Sequence, residues 1–152
     1  MNTPPYAKGL NDLHDLLVDS RKGYAEAAQR AEDPTVKSML DKFSSSREPL
    51  IAALNSERRR LDPEHEPSNG TLKGDMHRAW MDVRDALSTT ENANVLSECE
   101  RGEKYLLDRY DEVMQDKELP PATRALLQEQ RSKVQGHLET VRSERRTKDA
   151  TE

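Results

Sequence analysis

The sequence predicts an all-α protein, an up-and-down bundle of four to five helices. Apolar residues recur at three- and four-residue spacing over most of the chain, and no stretch alternates with the period of a strand. The periodic runs are separated by short clusters of Pro, Gly, Asp and Asn, so successive helices fold back on one another. Hydrophobic residues make up 33% of the 152 residues against 35% charged, with a mean hydropathy of -1.02. That balance suits long helices that bury a narrow seam and leave wide wet faces.

Residues 1–7, with Pro4 and Pro5, read as a disordered lead to a bundle domain over 8–146, and residues 147–152 as a frayed tail. The first helix is expected from Lys8 to Ala31, with Leu10, Leu13, Leu17, Tyr24, Ala27 and Ala28 on its apolar side. Asp33-Pro34 opens the second, Asp33 as N-cap and Pro34 at the first helical position, where its missing N–H does no harm. That helix carries Val36, Leu40, Phe43, Leu50, Leu54 and Leu61, interrupted by Arg47. Pro49 lies inside the pattern and predicts a kink near Ser45, because the apolar register continues through it.

Residues 62–70 form a loop dense in turn residues, and a third helix follows over Thr71–Ser88 with Trp80 as a core anchor. The fourth runs from Asn94 to Met114. Its apolar side holds Leu96, Cys99, Leu106, Tyr110 and Val113, and Glu103 lands among them. The third and fourth segments read either as two helices or as one bent element, hence four to five. Leu119-Pro120-Pro121 ends that segment, and a fifth helix over Ala122–Arg146 presents Leu127, Gln130, Val134, His137, Leu138 and Val141.

Net charge of -5 and a pI near 5.5 argue against nucleic acid as a partner. The two basic clusters, Arg58–Arg60 and Arg142–Lys148, sit at helix C-termini, where the helix dipole favours them. A lone cysteine, Cys99, excludes an intramolecular disulfide, and with no adjacent His it reads as a small buried hydrophobe. The opening Met-Asn-Thr-Pro-Pro-Tyr lacks the basic and apolar regions of a signal peptide, and no apolar run approaches the roughly 20 residues of a membrane span. A cytoplasmic protein without membrane association is expected, its partners a second copy in a homodimer or an unidentified protein.

Four-helix bundles often hold two metal ions, through a Glu from each of two helices and Glu-x-x-His from each of the other two. The residues three before the four histidines are Asn11, Asp62, Gly74 and Val134, and none is Glu. The standard site is therefore absent, no cofactor is expected, and a reduced metal site would have only Glu100, Glu103 and His137 to draw on. No catalytic residue is assigned. Four polar residues fall on or beside the apolar stripes: Arg21, Arg47, Glu103 and His137. A buried carboxylate needs a partner, so Arg47 or Arg21 is expected to pair with Glu103 in a core polar layer that fixes helix register. On a functional reading the same layer is a small polar site with His137 titrating near neutral pH.

Leu10-Asn-Asp-Leu13, Lys22-Gly-Tyr-Ala-Glu-Ala-Ala28, His77-Arg-Ala-Trp-Met-Asp82 and Glu98-Cys-Glu-Arg-Gly-Glu103 carry a resemblance over Leu10 to Arg142. The chain resembles the bacterial domain-of-unknown-function family 2383. The resemblance implies a ferritin-like four-helix bundle in a bacterial cytoplasm, of no established biochemical role. Members often carry Glu where this chain has Arg21, which exchanges an acidic ligand for a cation; Arg47 resembles a family feature. The expectation is a non-catalytic, stress-related structural or interaction module. Its alternative is a ferritin-like metal protein or oxidoreductase with a reduced carboxylate/His site.

Overall fold

The computed structural model describes residues 4–63 and 92–151, with four helices: α1 Pro5–Arg30, α2 Pro34–Leu61, α3 Asn92–Met114 and α4 Pro121–Thr151. All the regular structure among the described residues is helical. The expected third helix, with His77 and Trp80, lies outside the described residues, as does most of the 62–70 loop and the question of continuity between the third and fourth segments.

Each helix starts where its sequence satisfies or removes the exposed N–H groups. Pro5 stands at the start of α1, and the Ala7 amide donates to the Pro4 carbonyl at 2.9 Å. The helix therefore begins three residues before the expected Lys8, and the reason is burial: Ala7 is enclosed and Tyr6 packs on the core. Asp33 caps α2 as expected, Oδ1 accepting from Thr35 N at 2.8 Å and Val36 N at 3.1 Å. Its Oδ2 takes the Lys148 ammonium at 2.8 Å. That contact helps hold α4 in helical form past Arg146, where the sequence pattern stops. α2 runs unbroken through Pro49.

Arg124 closes the turn from α3 to α4 by donating to the Met114 carbonyl and, at 2.8 Å, to the Asp116 carbonyl. The last carbonyl of α3, that of Met114, and a carbonyl of the turn beyond it gain a cationic donor this way.

Contacts between helices fix the topology. α1 and α2 form one antiparallel hairpin and α3 and α4 another, and the packing within each hairpin is far more extensive than between hairpins. Gly9 meets Val113 and Tyr24 meets Glu103, so α1 is antiparallel to α3. Glu57 meets Thr123 and Asp33 meets Lys148, so α2 is antiparallel to α4. Every helix is thus antiparallel to both neighbours it packs on, while α2 and α3 run the same way. Leu61 and Asn92 consequently stand at opposite ends of the bundle.

Two apolar clusters fill the interior. One, toward the Leu61 end, gathers Leu10, Leu13, Leu17, Leu50, Leu54, Leu106, Tyr110, Leu127 and Val134. The other gathers Tyr24, Ala28, Leu40, Phe43, Leu96, Cys99 and Val141. Close approach is tightest at Gly9, where a Cβ would lie 2.8 Å from Val113 Cγ2. Gly102 and Gly136 are also helical but have nothing within 4 Å of that position.

Gly102→Ala and Gly136→Ala should therefore each stabilise the protein by about 0.5–1 kcal/mol, the helix-propensity gain. Gly9→Ala gains the same propensity and loses it against the stiff Val113 side chain. Urea unfolding midpoints that rise for the first two and not for the third are the expected result.

Candidate functional site

Between the two apolar clusters lies a polar layer to which every described helix contributes. Ser20 comes from α1, three residues after Leu17 and four before Tyr24, so it falls on the core face. Arg47 replaces an apolar residue on α2 between Phe43 and Leu50, Glu103 does so on α3 between Cys99 and Leu106, and His137 on α4 between Val134 and Val141. Arg47 is 0% exposed and Glu103 1%, so neither charge reaches water.

Arg47 is the hub. Its Nη2 donates to Glu103 Oε1, its Nε to Ser20 Oγ at 3.0 Å, and its Nη1 to His137 Nδ1 at 2.9 Å. The Tyr24 hydroxyl also donates to Glu103 Oε1, and the guanidinium carbon lies 5.5 Å from the Tyr24 ring centroid. Phe43 closes the layer from one side, edge-on to Tyr24 at 5.5 Å and tilted against the His137 ring at 4.8 Å. Glu103 Oε2 is buried with no hydrogen-bond partner among the described residues.

A guanidinium can only donate, so His137 Nδ1 must accept and the ring proton sits on Nε2. Burial and then the Arg47 charge push His137 down to about 4. The imidazole is accordingly neutral at pH 7, which corrects the expectation that it titrates near neutrality: a cation in direct hydrogen-bond contact opposes a second one. Burial, then the Glu103 charge, holds the Tyr24 hydroxyl protonated well above its usual range. Burial likewise raises the Cys99 thiol, which excludes a thiolate nucleophile.

Of the expected layer, Arg47, Glu103 and His137 come together and Arg21 does not. Arg21 lies one helical step off the core face, and its Nη1 is 3.3 Å from Glu48 at the surface. Ser20 and Tyr24 complete the layer instead. Glu100 does not join Glu103 and His137 either; it faces α4, bonded to Arg142 Nε at 2.8 Å and to Arg145 Nη1. The three residues named as a reduced ligand set therefore do not converge. Among the described residues no group of three His, Cys, Asp or Glu side chains is arranged to hold a metal ion. The basic stretch near the end of α4 is spent on Glu100 and Asp33, which leaves little of it to face a polyanion.

Outside the layer, one buried carboxylate is anomalous. Asp19 is 3% exposed, its Oδ2 has no partner among the described residues, and burial together with the neighbouring Asp15 charge raises it to about 6. A groove of about 510 Å³ lies between α2 and α4, with Met39, Lys42, His137 and Glu144 among its lining residues.

Fold and site together define a helical bundle whose Arg47–Glu103 ion pair is enclosed in a polar layer drawn from four helices. The chain belongs to the family described as Domain of unknown function (DUF2383), whose model matches residues 6–116. No curated protein matches it. No helix among the described residues is long and apolar enough to cross a membrane.

Two outcomes follow from the layer and its neighbour. Glu103→Ala strands a fully buried guanidinium and should cost about 3–5 kcal/mol. Adding Arg47→Met removes the stranded charge and should return most of that loss; simple additivity in urea unfolding would mean the two charges are not coupled. For Asp19, whose folded value is raised, the stabilising contribution is complete below its unfolded value near 3.8 and lost as pH rises through about 6. Asp19→Asn should thus be more stable than the parent by on the order of 2 kcal/mol at pH 7.5, with the gap closing toward pH 4. His137 acts with the opposite sign over the same window in both proteins, so the comparison cancels it.

Proposed function

We propose that this protein is a non-catalytic, metal-independent, ferritin-like bundle that acts as a structural or interaction module in the bacterial cytoplasm. The supporting observation is the position of the Arg47 guanidinium, a permanent cation at the centre of the helices that saturates Nδ1 of His137 and Oε1 of Glu103. The side chains that a metal would need are already committed to a cation the chain supplies itself.

Ferritin-like bundles have one long crossover between their second and third helices. Parallel α2 and α3, with Leu61 and Asn92 at opposite ends, support that reading of the topology. The chemistry of ferritin-like metalloproteins does not come with it, because topology and site are separable. Among the described residues the candidate ligands do not suit a resident metal: Glu103 and His137 both face Arg47, Glu100 faces Arg142 and Arg145, and Arg21 is a cation on the surface of α1. With Arg47, Glu103 and His137 committed to one another, the surfaces of the helices are left to carry the role. The stress-related setting rests on the family resemblance.

Tag-free protein equilibrated with Fe²⁺, Mn²⁺ and Zn²⁺ and then desalted should retain well under one equivalent of any of them by elemental analysis. A full equivalent that disappears in Glu103→Gln would overturn the proposal.

A further inference from the structure

The apolar seam of α4 ends before the helix does. Leu127, Val134, Leu138 and Val141 are enclosed, and the helix continues to Thr151 without adding another buried hydrophobic side chain among the described residues. At about 100° per residue, the positions that next turn toward the bundle lie four and seven residues after Val141. They hold Arg145 and Lys148, where the pattern calls for apolar residues.

Among the described residues these turns reach other helices through charge. Arg142 Nε donates to Glu100 Oε1 at 2.8 Å, Arg145 Nη1 donates to Glu100 Oε2, and Lys148 Nζ donates to Asp33 Oδ2 at 2.8 Å. Glu100 is thus held at both oxygens from successive turns of α4. Asp33 uses its other oxygen to cap α2, so its position does not depend on Lys148. The pairs are shielded but within reach of counterions: side-chain exposure is 10% for Glu100, 21% for Asp33 and 17% for Lys148, against 36% and 37% for Arg142 and Arg145.

Extending a helix gains little per residue in water, so the turns past Val141 owe their order chiefly to what they touch. Partly exposed ion pairs each shift an equilibrium by up to about fivefold. They weaken as salt shortens the screening length from about 30 Å at 0.01 M to about 3 Å at 1 M. Apolar burial, which holds the helix up to Val141, is not screened.

We infer that residues 142–151 of α4 form an electrostatic strap, clasped to Glu100 and Asp33 at low ionic strength and opening at high ionic strength while the helix up to Val141 stays packed in the bundle. Opening exposes the carboxylates of Glu100 and Asp33 and turns Arg142, Arg145 and Lys148 from internal partners into a basic arm in solvent. The protein thereby changes which charges it presents without any change in its core. The strap is separate from the layer around Arg47, so the outcome of the metal experiment has no bearing on it.

Amide hydrogen exchange of the full-length protein, resolved by NMR in 0.01 M and in 1 M NaCl at one pH, tests this. Amides of residues 145–150 should be protected at low salt, yet exchange at least about tenfold faster than those of Leu40, Leu106 and Val134. In 1 M salt they should lose about a further tenfold of protection, while the core amides change by less than about twofold. Glu100→Gln keeps the shape of its side chain and removes the charge; Lys148→Met keeps the stem and removes the ammonium. In 0.01 M salt each variant should speed exchange of the strap amides by about threefold or more, shrink the salt effect and leave exchange of the core amides unaltered. The inference is overturned by strap amides that exchange at the core rate, by strap amides without protection at 0.01 M salt, by salt moving strap and core alike, or by both variants matching the parent.

Discussion

The burial of the Arg47 guanidinium between four helices governs this structure. Moving a charged group out of water costs several kcal/mol even after relaxation, and the cost is recovered only where geometry is good and the remaining donors are met. Arg47 is met by three acceptors on three other helices, Ser20 on α1, Glu103 on α3 and His137 on α4. A slip of any helix by one turn would leave a donor or a carboxylate unpaired in the core. Apolar packing alone does not distinguish such slips, because leucines recur along every helix; the charged layer does.

The distribution of packing shows why such a device is useful here. Each hairpin is held by extensive contact between its own two helices, while contact between the hairpins is sparse. Arg47 on one hairpin and Glu103 on the other form the ion pair across that thinner boundary, and Tyr24 to Glu103 crosses it too. Outer ties repeat the logic at the ends of the bundle, Glu57 with Thr123 and Asp33 with Lys148. Glu103 Oε2, without a partner among the described residues, is the residual cost, since both donors converge on Oε1.

Much of this was legible in the residues. Period and caps gave α2 its bounds, and Arg47, Glu103 and His137 stood out because charged or polar groups on an apolar stripe demand partners. Arg21 misled because it is one residue from Ser20: a helical step of about 100° turns a core position into a surface one, and a small hydroxyl attracts less notice than a guanidinium. Tyr24 was read as apolar, although a buried phenol needs an acceptor and the nearest carboxylate was already marked. Glu100 was drawn into a ligand set by its closeness in sequence to Glu103, yet three residues on a helix are also enough to face a different neighbour, and the arginines of α4 fixed which one. The helix ends were misjudged at both termini, where burial of Ala7 and the Asp33–Lys148 pair come from distant parts of the chain and leave no local mark.

Shifted ionisation equilibria often mark active sites, but their direction decides what chemistry they allow. A general base must be free to accept, and His137 has its acceptor nitrogen filled by a group that never deprotonates. A nucleophile must be readily ionised, and burial drives both Cys99 and Tyr24 away from that state. An acid must reach its substrate, and Glu103 is enclosed with its charge already matched. Each group in the layer is held in the form that best satisfies its neighbour, which favours rigidity over turnover.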